Sequence, residues 1–501
     1  MTPLNELPEA HTVSLSQAVE PFVLALDIGS GSTRCCLYDG YARPIKKRTF
    51  KAEHLFTEKV DGTAEICPDQ VADEVAHVIT QTVEGLEPGS IKAVVMDTFA
   101  SSLVAVDAAG KALTPCFTYA DGRSAEHLAT LRKRLDETDI HQRIGARLHT
   151  SYHPPRMLWM QETMPDIWAK SAKFVSLGEY VYAKIAGIDG AATSTMAWAG
   201  ILNRHTLELD ADLLDAVGTS PDQFAPIVDP EDPITDVDPG VAKRWPALDG
   251  AAWFPAIPDG LASNLGVGAN VPSVAAMSAA TSGAMRVIVP GTPKVLPSGL
   301  WAYSISRQAS IVGGALNDVG RVMLWLERTF APVTPEEIDA VLRAAPKDAI
   351  PLVLPFLTGE RATGWAGNAR AVFTGVSSST TNLDFWRGAA EGVAISYGRV
   401  FEQLKLVNPA LKRVIASGGV TQHYGGLMDI TAQALGFPVQ VVNVKRVTMR
   451  GAAVMGLTTI NPDQQVARIP WTEPTQPDPL QRAYYNRLRN RFEEVYEDLI
   501  G

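Results

Sequence analysis

A strand, a turn of small residues and a second strand occur in the same order in both halves of the chain. The first copy reads LDIGSGSTRCCLY and the second reads AAMSAATSGAMRVIV, and aligning Gly31 with Gly283 also aligns Arg34 with Arg286. The copies lie about half the chain apart, which indicates two similar halves. A chain of 501 residues also exceeds the size at which one hydrophobic core stops growing, so on size alone we expect two large domains or three smaller ones.

Short apolar runs alternate with amphipathic segments along the chain. FVLALDI and IKAVVMDTF are typical of buried strands, and PDQVADEVAHVITQTVEGL between them has the apolar spacing of a helix. This alternation predicts an α/β fold. A stretch rich in Pro and Asp, residues 221–258, lacks periodicity, and we place the domain boundary near its end. The predicted parts are a flexible extension at 1–20, an N-terminal domain at 21–256 and a C-terminal domain at 257–501.

The last segment, DPLQRAYYNRLRNRFEEVYEDLI, predicts a docked C-terminal helix. Asp478 suits an N-cap and Pro479 suits the first helical turn. The expected buried stripe consists of Tyr484, Leu488, Phe492, Val495 and Leu499.

Composition and charge exclude several kinds of partner. The formal net charge of −11 is spread along the chain without a basic stripe, so we expect no nucleic acid partner. We find no signal peptide and no apolar run of about 18 residues, and we therefore expect no membrane segment and a cytoplasmic protein. The four cysteines have neither disulfide nor zinc spacing, which predicts reduced packing residues. The expected partner is a small molecule, and a homodimer is left open.

The two repeated turns have the composition of phosphate-binding loops. A hairpin turn of Gly, Ser and Thr presents a row of backbone N–H groups and small hydroxyls, and Gly permits close approach. One such turn alone is more often structural, whereas two in matching places favour one bound nucleotide. A dinucleotide-binding loop fits poorly, because it opens a helix and these turns open a strand. The candidate contacts are Gly29, Ser30, Gly31, Ser32, Thr33, Arg34, Thr281, Ser282 and Gly283.

Asp27 stands at the end of the first strand, immediately before the first turn. A carboxylate in this place can hold Mg²⁺, usually through water, beside the phosphates of a nucleotide. The alternative is an Asp that only caps the turn. We expect Asp27 to be the metal-binding residue.

Five segments resemble, in their order, the motifs of a known family. They read LDIGSGSTR, YHPPRMLWM (with Arg156 where Lys is usual), AATSGAMR, GERATGWAGNARAVFTGV followed by DFWRGAAEGVA, and IASGGVTQHYGGLMDITAQALGFPV. From about Phe22 to Gly456 the chain resembles the FGGY family of carbohydrate kinases, which includes glycerol kinase, xylulokinase and gluconokinase. The resemblance implies two actin-like (ribonuclease H-like) ATPase domains with the active site in the cleft between them. It also implies a sugar kinase that uses ATP and Mg²⁺.

Asp259 is the candidate general base. A sugar hydroxyl is a poor nucleophile, so phosphoryl transfer to it needs a carboxylate that accepts its proton. Asp259 lies in AIPDGLASNLGVGA, which resembles the segment with the family's catalytic Asp, and the residues after it predict a helix. We expect it to contact the sugar as well. The alternative is a plain turn residue, since Pro-Asp-Gly is a common turn sequence.

The resemblance implies further nucleotide contacts. Gly313 and Gly314 in IVGGALND look like the family's glycines near the phosphates, and Gly418, Gly419 and Val420 look like the loop under adenine and ribose. Gly418 and Gly419 follow the apolar run RVIAS, so the alternative to a nucleotide contact is a tight strand-to-helix turn.

The sugar contacts implied by the resemblance are Asp121, Arg123 and Tyr152, although polar loop residues are often only solvated. The segments around them look most like the gluconokinase branch. Where a Met-His pair is usual after the third strand, this chain has Ala100 and Ser101, so an imidazole that could bind the substrate is missing.

We therefore expect phosphorylation of a small sugar or sugar acid, with gluconate first. A ketopentose or polyol kinase, similar to xylulokinase or ribulokinase, is the main alternative, followed by a weakly catalytic sugar-binding regulator. Actin-like and chaperone ATPases share the expected architecture. They lack a substrate carboxylate such as Asp259 and the GERATGW segment.

Overall fold

The computed structural model describes residues 8–501 and shows an α/β architecture, as the sequence predicts. Its strands are β1 (Phe22–Ile28), β2 (Ser32–Tyr38), β3 (Pro44–Glu53), β4 (Thr57–Glu58), β5 (Ala64–Ile66), β6 (Ile91–Thr98), β7 (Val104–Val106), β8 (Cys116–Phe117), β9 (Lys173–Val175), β10 (Ala191–Ala192), β11 (Ile227–Val228), β12 (Ala252–Trp253), β13 (Ile257–Pro258), β14 (Val274–Ala279), β15 (Gly283–Pro290), β16 (Trp301–Ser304), β17 (Ala309–Leu316), β18 (Leu352–Leu354), β19 (Val372–Thr374), β20 (Arg413–Ser417) and β21 (Val439–Val441).

The helices of the described residues connect these strands. They are α1 (Pro68–Val83), α2 (His127–Arg134), α3 (Glu137–Ile144), α4 (His153–Thr163), α5 (Pro165–Lys170), α6 (Leu177–Ala186), α7 (Thr193–Ala199), α8 (Ala211–Ala216), α9 (Gly240–Arg244), α10 (Asp259–Gly266), α11 (Gly320–Thr329), α12 (Pro335–Arg343), α13 (Asn382–Val407), α14 (Gly419–His423), α15 (Gly425–Leu435), α16 (Val447–Ile460) and α17 (Arg482–Leu499). None of them is long and apolar enough to cross a membrane, within residues 8–501.

The chain forms two compact units. The first contains the described residues up to Gly268 together with Ala302–Ser310 and Val444–Ile469, and the second contains Ala269–Trp301, Ile311–Asn443 and Pro470–Gly501. In this division Asp259 belongs to the first unit, because β13 pairs with β6 and α10 packs against α16. The boundary after residue 256 stays a prediction.

The central sheet of the first unit has the order β12-β6-β1-β2-β3, and β13 also pairs with β6. The β1–β2 and β2–β3 pairs are antiparallel, whereas β1 pairs with β6 in parallel. Successive residues of β1 face opposite sides of the sheet. Leu24 and Leu26 belong to the core with α1 and α6, and α16 covers the other face, where Gly456 permits close contact because a Cβ would lie 2.8 Å from Val95.

A second six-stranded sheet has the order β16-β17-β15-β14-β20-β21. The β14–β15 pair is antiparallel, and β14 pairs with β20 in parallel. The strand order β17-β15-β14-β20 of this sheet therefore corresponds to the strand order β3-β2-β1-β6 of the first sheet. The internal repeat seen in the sequence corresponds to this shared topology.

Residues 8–20 differ from the predicted flexible extension. Ala10 donates its backbone N–H to the carbonyl of Arg468 at 2.8 Å, and Val13 donates to Pro44 at 3.0 Å. These bonds hold the segment against the first unit. The part of the predicted extension at residues 1–7 lies outside the described residues.

The C-terminal helix is present, but it begins later than the sequence predicts. α17 starts at Arg482, and residues 478–481 form a turn before it. The predicted stripe is wrong in part: Leu488 and Phe492 are buried, whereas Leu499 is 62% exposed. The buried face is completed by Tyr485 and Tyr496. Tyr496 donates a hydrogen bond to Glu360 at 2.5 Å, so tertiary contacts rotate the buried face from the one that periodicity favours.

Glu179 is a buried carboxyl group in the first turn of α6. It forms a capping box with Ser176: Glu179 Oε1 accepts from the Ser176 N–H at 3.2 Å, and Oε2 has no hydrogen-bond partner. Burial raises the pKa of Glu179 to about 7, although its bonds with Ser176 oppose the shift. The side chain helps line a cavity of about 250 Å³ that also contains Asp189.

We expect Glu179→Gln to stabilise the protein more at pH 8 than at pH 5. A raised pKa means that the folded state keeps the proton when the unfolded state has lost it, so wild-type stability falls as pH rises towards 7. Between pH 5 and pH 8 the wild-type free energy of unfolding falls by about 2–3 kcal/mol through this one group. Gln retains the capping acceptor and does not titrate. Thermal melts of both proteins at the two pH values measure the difference.

Glu58→Gln, on an exposed strand, is the matched control and should leave the difference between the two pH values unchanged. Equal effects of Glu179→Gln at pH 5 and pH 8 would contradict the raised pKa of Glu179.

Candidate active site

Three carboxylates lie at the carboxyl ends of neighbouring parallel strands in the first unit. Asp27 in β1 stands opposite Asp97 in β6. Asp97 in turn stands opposite Ile257 of β13, and Asp259 follows that strand as the first residue of α10. Parallel strands bring their carboxyl ends to one edge of a sheet, which is where α/β proteins usually bind ligands.

The two inner carboxylates are removed from water. Asp97 is fully buried and Asp27 is 6% exposed. Neither oxygen of Asp97 meets a hydrogen-bond donor in the described chain, and its polar contact is with the Asp27 carboxyl group. Burial raises the pKa of Asp97 well above its usual range, and the charges of Asp27 and Asp259 raise it further. Both effects favour the neutral form of the Asp97 carboxyl group.

Asp27 has cationic and neutral neighbours as well. Arg34 Nη1 lies 3.6 Å from Asp27 Oδ2, and Thr448 Oγ1 donates to the same oxygen at 3.3 Å. Burial raises the pKa of Asp27, while Arg34 and Thr448 oppose the rise.

Asp259 is the most accessible of the three carboxylates, since it is half-buried. It lies in the first turn of α10, where the unpaired backbone N–H groups favour a negative charge. Its helix is fixed by a close crossing with α16: a Cβ on Gly266 would lie 1.9 Å from the carbonyl oxygen of Val447, and one on Gly451 would lie 1.8 Å from that of Ala262. Only Gly at both places permits this crossing.

The first repeated turn is a hairpin between β1 and β2, with Ser30 and Gly31 exposed at its tip. It is closed by a bond from the Gly29 N–H to the Ser32 carbonyl at 3.0 Å. His54 Nε2 donates to the Gly29 carbonyl at 2.8 Å, and its Nδ1 lies 2.8 Å from Glu74. Glu74 also accepts a hydrogen bond from the Thr33 hydroxyl at 2.9 Å, so this hydroxyl is already bonded to a side chain of the protein.

The second unit brings its own predicted nucleotide residues together. Thr281 and Ser282 are exposed at the tip of the β14–β15 hairpin, and Ser278 of β14 stands opposite Ser417 of β20. Gly418 follows β20 with φ +112°, and a Cβ there would lie 2.2 Å from the carbonyl oxygen of Ala279. The predicted adenosine loop therefore adjoins the predicted phosphate turn.

Other predicted glycines have a packing role in the second unit. A Cβ on Gly283 would lie 2.1 Å from the hydroxyl of Tyr397, which itself donates to the Ser278 carbonyl. Gly313 and Gly314 are buried within β17, where a Cβ would meet Met285 and Ala362 respectively. Their phosphate contacts stay predictions, as does the predicted adenosine contact of Val420, which is buried in α14.

The predicted sugar residues Asp121 and Arg123 bind each other. Asp121 is buried, and Arg123 Nη2 donates to it at 2.6 Å and to Glu65 at 2.9 Å. The guanidinium of Arg123 also lies 4.5 Å from the ring of Trp159. This ion pair holds the loop in place, and direct sugar contacts by these two residues remain untested.

Tyr152 precedes α4, and the residues after it are buried. Its hydroxyl lies 2.6 Å from that of Tyr303. Burial, together with the nearby Arg156, lowers the pKa of His153 to about 3, so His153 is neutral and donates Nε2–H to the Ser102 carbonyl at 2.9 Å. Burial also lowers the pKa of Arg156 to about 10, which leaves it charged near neutral pH.

Sequence reasoning missed Asp97, His54 and Glu74. Asp97 had a detectable signal: VVMDT, like LALDI, ends a buried apolar run with an acid. The segments around His54 and Glu74 contain no motif that points to a site, and only the fold brings these residues to the first turn.

The donor groups at the sheet edge suit Mg²⁺. No group of three or more His, Cys, Asp or Glu residues that could hold a metal occurs in the part of the chain described. Mg²⁺ does not need one, because it usually takes one or two carboxylates and completes its shell with water and phosphate oxygens. Asp27 beside the first turn fits this requirement.

Two units with matching sheets, each with a small-residue hairpin at its centre, define the actin-like class of ATPase folds. The comparisons agree with this class. The N-terminal domain of the FGGY family of carbohydrate kinases matches residues 22–266, and the family's C-terminal domain matches residues 275–460. The chain belongs to the FGGY family of carbohydrate kinases, and it is an ATP-dependent sugar kinase.

Individual relatives show different substrates. The chain is 26% identical to the gluconokinase of Bacillus subtilis (strain 168) over 420 residues, which cover 79% of this chain and 80% of the relative. It is 21% identical to the xylulose kinase of the same organism over 409 residues, or 79% of this chain and 80% of the relative. The crystal structure of gluconate kinase from Lactobacillus acidophilus superposes with a TM-score of 0.89 at 23% identity, and covers 96% of this chain and 98% of that chain.

Proposed function

We propose that this kinase transfers the γ-phosphoryl group of ATP to a hydroxyl of a small sugar acid, and that gluconate is its substrate. The similarity to gluconokinases carries the proposal of gluconate. The row of Asp27, Asp97 and Asp259 at one sheet edge supports the chemistry.

Asp259 acts as the general base in this proposal. Its half-buried carboxylate is more accessible to a substrate hydroxyl than those of Asp27 and Asp97. The N-terminus of α10 favours its ionised form, which is the form that accepts a proton. As the hydroxyl oxygen bonds to the γ-phosphorus and the bond to the β-phosphate oxygen breaks, the hydroxyl proton passes to Asp259.

Asp27 holds Mg²⁺ in this proposal, and the exposed tip of the first turn binds phosphate through backbone N–H groups. When bound, the ion neutralises charge on the phosphate oxygens. Arg34, close to Asp27, adds a second positive charge at this place. His54 supports the turn by fixing the Gly29 carbonyl. In the second unit, the tip at Thr281 and Ser282 and the loop at Gly418 and Gly419 bind the nucleotide.

Phosphorylation of a ketopentose or polyol is the alternative, supported by the similarity to xylulose kinases. A weakly catalytic regulator is a third candidate, because Ser101 stands where an imidazole is usual. A coupled ADP-release assay with aldonates, ketopentoses, polyols and heptuloses separates the three. We expect D-gluconate to give the highest kcat/KM.

A higher kcat/KM for a ketopentose or polyol would overturn gluconate in favour of the alternative. If no sugar raised the rate of ADP release above the rate without sugar, the weakly catalytic regulator would be favoured. A homodimer and a cytoplasmic location stay proposals; light scattering on a sizing column measures the first.

A further inference from the structure

Gly178 is the second residue of α6, and its close surroundings account for the glycine at this position. The backbone there is helical, a conformation in which alanine is favoured over glycine. A Cβ on Gly178 would lie 2.4 Å from the Cβ of Ala256 and 3.1 Å from Cγ2 of Thr98. Two carbon atoms in contact are about 3.5–4.0 Å apart, so α6 packs against these residues at a distance that only glycine permits.

The residues that Gly178 contacts lie next to the carboxylates of the candidate site. Thr98 is the last residue of β6 and follows Asp97. Ala256 comes directly before β13, and Asp259 comes directly after that strand. The first turn of α6 is therefore packed against the two strands that position these carboxylates.

Asp27 and Asp97 lie on the opposite face of the sheet from α6. Successive strand residues face opposite sides, and both Met96 and Thr98 lie beside α6, so Asp97 between them faces away. Asp27 is on that far side as well, because it accepts a bond from Thr448 of α16. α6 thus reaches these carboxylates through the strands, and a shift of the strands would move them.

The contact at Gly178 has little freedom to relax. The Leu177 N–H donates to Ser102 Oγ at 2.9 Å, just beyond β6, and Thr195 Oγ1 donates to the Ala256 carbonyl at 2.7 Å. The Cβ of Ala256 is attached directly to the backbone, so it gives way only if the backbone moves. Added volume at position 178 is therefore passed to the strands, since close-packed interiors transmit strain.

We propose that Gly178 is a positioning residue for phosphoryl transfer: with no side chain there, α6 holds the ends of β6 and β13 at the spacing that sets Asp259 against Asp97 and Asp27. This rests on the proposed function, in which Asp259 is the general base. Phosphoryl transfer depends on such placement, and a displacement of about 1 Å lowers rates by up to about 100-fold. Gly178 contributes no reacting group, so its effect is on the chemical step and not on ligand binding.

Gly178→Ala is expected to lower kcat by about 10–100-fold, because one methyl group pushes α6 and the two strands apart. KM for the sugar and KM for ATP should change less than about threefold, since the ligand contacts are untouched. Helix propensity alone predicts a more stable protein with normal turnover. Steady-state ADP release is measured with the sugar that the wild type phosphorylates best, so failure of gluconate as a substrate does not affect the test.

Ala256→Gly tests the contact directly. In the Gly178→Ala background it removes the atom that the new methyl group would meet at 2.4 Å. The kcat of this double variant should return to within about threefold of wild type, and Ala256→Gly alone should change kcat by less than that.

Ser102→Ala is the second variant, for use if Gly178→Ala does not fold. It removes the acceptor of the Leu177 N–H and adds no bulk. We expect kcat to fall by about three- to tenfold with unchanged KM values, the size of one lost hydrogen bond.

Asp259→Asn separates this proposal from the proposed function. If Gly178 acts through Asp259, adding Gly178→Ala to Asp259→Asn should lower kcat by less than about threefold more, because both changes remove one contribution. A normal kcat in Asp259→Asn alone would contradict the general base. The rescue of Gly178→Ala by Ala256→Gly does not depend on which carboxylate is the base.

Gly388→Ala is the matched control. Gly388 is a buried helical glycine of the second unit, at which a Cβ would lie 2.3 Å from the Pro351 carbonyl oxygen. This variant should lower the melting temperature and leave kcat per folded molecule within about twofold of wild type.

Four outcomes overturn the proposal. Two concern Gly178→Ala itself: a rise of either KM as large as the loss of kcat, and a kinetic profile equal to that of Gly388→Ala. The third is a failure of Ala256→Gly to restore kcat, and the fourth is that the losses in Gly178→Ala and Asp259→Asn multiply.

Discussion

Asp259→Asn is expected to lower kcat by about 10²–10⁴-fold, the usual contribution of positioned proton transfer. The amide has the shape of the carboxylate but does not take up the proton of the sugar hydroxyl. KM for ATP should change little, because the turns around Gly31 and Gly283 are untouched. Steady-state ADP release, measured with the preferred sugar, gives both constants.

The control is Asp238→Asn, a turn aspartate of the same unit that accepts a bond from the Gly240 N–H at 2.7 Å. A residue of that kind should affect melting temperature more than turnover per folded molecule. If Asp259→Asn behaved like this control and kept more than about a tenth of wild-type kcat, the assignment as general base would be wrong, and Asp121 would be examined next.

Asp27→Ala is expected to reduce kcat by about 10²–10³-fold, since a metal at the phosphates contributes several kcal/mol. Binding of the sugar alone should stay nearly intact, because the proposed role of Asp27 concerns metal and phosphate. Isothermal titration with sugar in the absence of nucleotide measures this second quantity. A loss of sugar affinity as large as the loss of rate would count against the metal role.

Asp97→Asn is the matched control, because Asp97 stands opposite Asp27 in the neighbouring strand. Its raised pKa favours the neutral acid, so an amide at this position should change the local charge less than the loss of Asp27 does. We expect kcat to fall less than about tenfold. A loss equal to that of Asp27→Ala would indicate that Asp97 acts in its ionised form.

Much of the fold could be read from local pattern. The repeated strand, turn and strand around Gly31 and Gly283 became two hairpins at the centres of two sheets with matching strand order. Asp27 was singled out because an acid ends a buried run immediately before a Gly/Ser turn, and its metal role stays a prediction. The C-terminal helix was predicted, but its buried face was not. Tyr496 belongs to the buried face because its hydroxyl bonds to Glu360, which lies in a loop distant in sequence.

The candidate site depended on contacts between distant segments. The roles of Asp27 and Asp259 were predicted one residue at a time, and both remain to be tested. Their common neighbour Asp97 was missed although its segment ends a buried run with an acid as that of Asp27 does; its place beside Asp27 depends on the parallel pairing of β1, β6 and β13, which is not visible in any one segment. Arg123 and Asp121 were expected at the sugar, and the fold shows that they bind each other.

The sequence by itself determined the α/β class, the duplicated hairpins and the carbohydrate kinase family, because periodicity, turn composition and ordered motifs are local properties of the chain. Only the tertiary structure decided that Asp27 and Asp97 share a buried contact, and that Ser101, Arg156 and Trp198 form one connected group. The physical reason is that burial and hydrogen bonding here join residues tens to hundreds of positions apart. Their energies depend on which strands and loops become neighbours, and no single segment contains that information.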